Sequence, residues 1–105
     1  MTAIAFLTKQ QDGSYKGTYD LLDHKGPLDM LPNKKKNAPN QPDFRLFSRT
    51  TDIGAAWLGE NQEGEKKTTL RFAHPAFGPR VIWANLGPAE GQDDPDVVAA
   101  VWNAD

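Results

Sequence analysis

Asp43-Phe44-Arg45-Leu46-Phe47-Ser48-Arg49 runs through Thr50-Thr51-Asp52 into Ile53-Gly54-Ala55-Ala56-Trp57-Leu58. Two short apolar-rich runs parted by a polar break read as strand, turn and strand. Side chains alternate between the faces of a strand, so Arg45, Phe47 and Arg49 share one face of the first run. In the second run Ile53, Ala55 and Trp57 fall together. The small Gly54 and Ala56 lie opposite and need something large to cover them.

The same pattern continues in both directions. Residues 3–9 hold an apolar run that stops at Gln11-Asp12-Gly13-Ser14. Asp-Gly between two alternating runs is a hairpin signal, because glycine takes the left-handed backbone such turns require. Tyr15 to Leu22 is the returning strand. Gly17 within it marks a bulge or a close approach of another backbone. Lys25-Gly26-Pro27 turns the chain into a short strand, Leu28-Asp29-Met30-Leu31, ended by Pro32. Residues 33–42 lose every apolar period and carry Lys34, Lys35 and Lys36, which predicts an exposed, mobile loop. Lys67 to Ala73 and Arg80 to Leu86 make two more strands, joined through His74-Pro75-Ala76-Phe77-Gly78-Pro79. At the end, Asp94-Pro95 suits a helix start. Val97, Val98, Val101 and Trp102 favour a strand, and a strand closing the sheet is the reading taken.

Seven or eight short strands at this spacing predict an all-β, antiparallel single domain over residues 1–105, either a sandwich or barrel-like. The eight prolines and nine glycines cluster between the apolar runs, as punctuation for short strands. With no cysteine in the chain, disulfides, thiolate metal sites and cysteine nucleophiles are excluded. The first residues lack a basic segment before their short apolar run, and no apolar run is long enough for a membrane helix. A soluble, cytoplasmic protein is expected. The net charge of −2 gives no global attraction to nucleic acid. The charges are nonetheless unevenly placed, with lysines at 34–36 and a polar acidic stretch at 90–96.

Several of these segments together resemble domain of unknown function 736. They are Thr8-Lys9 with Asp12 to Thr18, the Leu31-Pro32-Asn33 turn, Pro42 to Phe47, Ile53 to Trp57, and Ile82-Trp83-Ala84-Asn85-Leu86. Asp43-Phe44-Arg45 followed by Ile53-Gly54-Ala55-Ala56-Trp57 is the most specific part. The resemblance covers nearly the whole chain. It implies a small β-rich protein, typically proteobacterial and often encoded on plasmids or integrated conjugative elements, and it implies no particular activity. Where the family usually ends in an aromatic-leucine-tryptophan strand and basic residues, this chain has Val97 to Trp102 and an acidic tail.

The residues offer little for catalysis. His24 and His74 have no spaced partner for a metal, and His74-Pro75 reads as a turn. Ser14 sits in a hairpin turn, Ser48 lacks a nucleophile elbow, and no glycine-rich phosphate loop is present. The chain is therefore read as a non-enzymatic binding accessory of a mobile element, with no cofactor and no metal. Nucleic acid is the first partner considered. Lys34, Lys35, Lys36, Arg45 and Arg49 supply charge and Phe47 a stacking ring, with Arg71 and Arg80 extending the patch if their strands share its face. The alternative is a protein-binding inhibitor or adaptor of the anti-defence type. It would act on nucleic-acid-handling machinery through Asp93, Asp94, Asp96 and an exposed Trp102. The remaining aromatic residues are assigned first to the core.

Overall fold

The computed structural model describes residues 3–22, 24–34, 37–60, 62–64, 66–79, 81–89 and 94–102. Among these, eight strands follow one another in an up-and-down meander: β1 Ala3–Lys9, β2 Tyr15–Asp20, β3 Lys25–Pro32, β4 Phe44–Ser48, β5 Thr51–Glu60, β6 Lys66–Phe72, β7 Ile82–Pro88 and β8 Val97–Trp102. Every neighbour pair is antiparallel, and β8 returns to pair with β1, so the sheet closes into a barrel. The β-branched Val97, Val98 and Val101 thus prevail over the helix-start signal at Asp94-Pro95.

An eight-stranded barrel is just wide enough to be filled by its own side chains. Here Leu7, Leu28, Met30, Leu46, Leu70 and Phe72 meet inside it, interleaved with Ala5, Ala56, Ala84 and Ala100, all at most 1% exposed. Large residues facing small ones let a narrow interior pack without voids. Two glycines mark places where the wall pinches. A side chain at Gly17 would stand 1.8 Å from the Phe6 carbonyl oxygen, and one at Gly54 would stand 1.9 Å from that of Arg71. The barrel's own interior is what covers Gly54 and Ala56.

A bulge separates the expected facing of β5 from the observed one. Leu46 pairs with Gly54 but Phe47 pairs with Asp52, leaving Ile53 as the extra residue. The bulge lets Ile53 turn into the core beside Gly54 and Ala56. Ala55 and Trp57 are left on the outside. Trp57 and Trp83 are therefore surface residues rather than core, a correction to the sequence expectation.

Alternate connections of a meander lie at the same end. The β1–β2 turn is the expected hairpin. Gly13 has a φ of 90°, and Asp12 Oδ1 accepts from the Ser14 backbone N–H at 3.0 Å and from its hydroxyl at 2.6 Å. The β3–β4 loop lies at that same end. Asn33 Nδ2 donates to the Pro42 carbonyl at 2.8 Å, Asp43 N to Ala56 O at 2.9 Å, and Asn37 N to Gln41 Oε1 at 2.6 Å. The described residues of this loop thus make polar contacts with one another and with β5. At the opposite end a 3-10 turn, Pro75–Phe77, folds over the mouth. It is capped by His74, whose Nδ1 accepts from Ala76 N at 3.0 Å. Phe77 is the plug, edge-on to Tyr19, His24, Phe72 and His74 at ring separations of 5.9 to 6.4 Å.

Candidate nucleic-acid interface

The ladder fixes which side chains share the outer wall. One row across five strands reads Leu31, Arg45, Ala55, Arg71, Trp83. The next, toward the lysine-loop end, reads Trp57, Thr69, Asn85, Val101. Small Ala55 forms the floor. It is only 1% exposed although it belongs to the outer wall, because longer side chains flank it on both sides. Over this floor Trp57 and Trp83 lie 6.3 Å apart at a tilt of 36°. The Arg71 guanidinium stands 5.6 Å from the Trp57 ring centre. A cation over an indole face is held by the ring's electron density, worth about 0.5–1 kcal/mol at an exposed site and more when water is excluded. Among the described residues no carboxylate pairs with Arg71, and its Nε is buried without a hydrogen-bond partner. Trp83 remains 42% exposed. Trp57 is fixed from the loop side, since its Nε1 donates to the Asn40 carbonyl at 3.2 Å.

The residues singled out in the sequence are distributed as follows. Arg45 and Phe47 do project from the same face of β4, and Arg71 joins their patch across Ala55. Arg45 is ion-paired with Asp52, and Phe47 lies between Asp29 and Asp52 in its row. Carboxylates thus temper that half of the patch. Arg49 leaves the face. It occupies the β4–β5 turn at the plugged end with a φ of 59°. Lys34 is exposed at the other end, beyond the top of β3 and roughly 16 Å away along β4 at ~3.3 Å per residue. Lys35, Lys36 and Arg80 lie outside the described residues.

For the alternative set, Asp94 Oδ1 accepts from the Asp96 backbone N–H at 2.9 Å, and the Asp96 carbonyl accepts from Lys9 N at 2.8 Å. Trp102 is exposed as expected, at 50%. β8 separates it from Asp96 by its whole length, so these residues do not form one surface. Asp93 lies outside the described residues.

The sequence reading missed Trp57 and Trp83 as site residues. The signal was present: Trp57 has the same alternation as Ala55, and Trp83 sits one residue from Ala84, the buried member of its strand. Among the described residues no group of three or more histidine, aspartate or glutamate side chains could hold a metal ion. No helix there is long and apolar enough to cross a membrane. Compared with known proteins, the chain matches the model of a family described as protein of unknown function, DUF736, over residues 3–105. No curated protein and no solved structure matches it.

Proposed function

We propose that this chain, which belongs to the DUF736 family of proteins of unknown function, is a non-enzymatic accessory that takes single-stranded nucleic acid on the outer wall of β4 to β7. The observation that carries the reading is the pairing of Trp57 with Trp83 beside Arg71, a cation with no carboxylate partner among the described residues. Unstacked bases need flat aromatic faces, and the phosphates between them need cations that are not already neutralised. Lys67 stands on the outer side of β6 two residues from Thr69 and extends the charge along the path a strand would take. A duplex fits less well, because its bases are stacked inside and leave the indoles nothing to stack on. Service beside the DNA or RNA of a mobile element is in keeping with the genetic setting the family resemblance implies. The protein-binding alternative has less support, since Asp96 and Trp102 stand at opposite ends of β8.

The test is fluorescence anisotropy of a labelled single-stranded oligonucleotide titrated at low and moderate salt. Binding that weakens with salt, and weakens further in Trp83→Ala, is the expected result. An absence of binding at low salt, where charges are least screened, would remove this reading.

A further inference from the structure

We propose a second site, distinct from the strand wall, at the plugged end of the barrel: a pocket for a small oxyanion of the phosphate class, held by Arg49, Ser48 and Tyr19. A cavity of about 170 Å³ opens there beside Phe77, with Tyr19, Ser48, Arg49, Thr51 and His74 in its lining. This polar lining is made of hydrogen-bond donors. The lining residues carry three hydroxyls, one guanidinium and one imidazole, and no carboxylate. Because His74 Nδ1 accepts from Ala76 N, a neutral His74 carries its proton on Nε2, which is then also a donor. Such a set complements an anion and repels a cation. Pockets for drug-sized ligands run to roughly 300 Å³ and more, so this one suits a small ion.

Two further observations point to a ligand. Ser48 is 7% exposed, and its Oγ is buried with no hydrogen-bond partner. An unmade hydrogen bond of this kind costs about 1–3 kcal/mol, and a bound oxyanion would remove that cost. Gly26 packs close by, where a side chain would stand 3.2 Å from Ser48 Oγ and 3.4 Å from the Tyr19 hydroxyl. The second is Arg49 itself. It holds the left-handed φ of 59° in the two-residue turn between Ser48 and Thr51, a position that favours glycine. Keeping an arginine there costs of order 1 kcal/mol of backbone strain. The return is an arginine lining the cavity with no carboxylate partner among the described residues.

The experiment is a 1H–15N NMR titration of the full chain with inorganic phosphate, with chloride at matched ionic strength as the reference. Saturable shifts at Tyr19, Gly26 and Arg49 are expected with phosphate and not with chloride. Arg49→Gly suits the turn better than arginine and keeps the fold. Its phosphate affinity should fall roughly tenfold or more, as for the loss of a charge-assisted hydrogen bond, while its thermal midpoint holds or rises. Ser48→Ala should weaken phosphate comparably without destabilising the barrel. An absence of saturable shifts in the unaltered protein, or unchanged affinity in either variant, overturns the proposal. Because the readout is phosphate at the barrel end, its failure leaves oligonucleotide binding on the wall unaffected.

Discussion

The Arg71 guanidinium lies over the Trp57 indole, 5.6 Å from the ring centre, because β5 and β6 pair Trp57 with Thr69 and place Arg71 one diagonal step further along. Register therefore decides the chemistry of this wall. A slip of one residue would send the arginine inward and the tryptophan away from it. The two indoles then differ in what they do. Trp57 is tied to Arg71 and to Asn40, while Trp83 is 42% exposed.

That difference separates stability from binding. Trp83→Ala should lower thermal stability less than Trp57→Ala does, because Trp83 is 42% exposed. It should weaken a single-stranded oligonucleotide by about 1–3 kcal/mol, read as roughly 5- to 150-fold in Kd. Trp57→Ala should lower both, with about 1–2 kcal/mol of stability lost along with the cation contact and the Asn40 hydrogen bond. Equal destabilisation by the two substitutions would show that Trp83 is a structural residue.

Arg45 is held in check by Asp52, and its release should be measurable. In Asp52→Asn the Oδ1 that accepts from Gly54 N at 3.1 Å is kept while the charge is lost. Stability should change by no more than about 1 kcal/mol, as both partners are some two-fifths exposed. Oligonucleotide binding should strengthen at low salt, and the salt dependence should steepen by about one phosphate contact. An unchanged slope would mean that Arg45 lies off the path of the strand.

Gly54→Ala tests the pinch of the barrel wall. The added carbon meets a backbone oxygen of the neighbouring strand, which cannot swing aside as a side chain tip could. A loss of about 1–3 kcal/mol or more is expected in chemical denaturation, as for an overpacked core. Gly59→Ala on the same strand meets nothing within 4 Å and is the matched control.

Asp12 should titrate below the ordinary carboxyl value of 3.8, chiefly because the Ser14 hydroxyl, and then its backbone N–H, donate to the charged form. A folded-state pKa lowered in this way adds stability above the unfolded value, and the addition is lost as pH falls through the folded one. NMR titration of the side-chain carboxyl in the unaltered protein and in Ser14→Ala reads this directly. The substitution should move the value back up toward normal.

Much of the fold could be read from local chemistry. Asp12-Gly13 announced its hairpin, Gly17 its close approach, and the alternation of Phe44 to Ser48 its two faces. Val97 to Trp102 favoured a strand, and a strand closes the barrel. The site was harder to read, for reasons that lie between strands. The bulge at Ile53 exists because β4 and β5 count differently past Leu46, which no single run of residues displays. Trp57 and Trp83 look like core until their ladder partners are known. The β3–β4 loop lacks apolar period, yet Asn33, Asn37 and Asp43 fasten it through polar contacts that periodicity does not register. Arg49 alternates correctly with Arg45 on paper, but β4 ends before reaching it.

The seam between β1 and β8, in which Ala3 faces Val101, also governs the timing of folding. During synthesis β1 emerges first and must wait for nearly the whole chain before its second neighbour exists. Until then both sides of the incomplete sheet carry unpaired backbone groups that can engage another chain. Closure over such a separation is slow by the usual dependence of rate on contact distance in sequence. A nascent chain stalled before residue 97 should thus be captured by chaperones or aggregate, while one released after Trp102 should be protected.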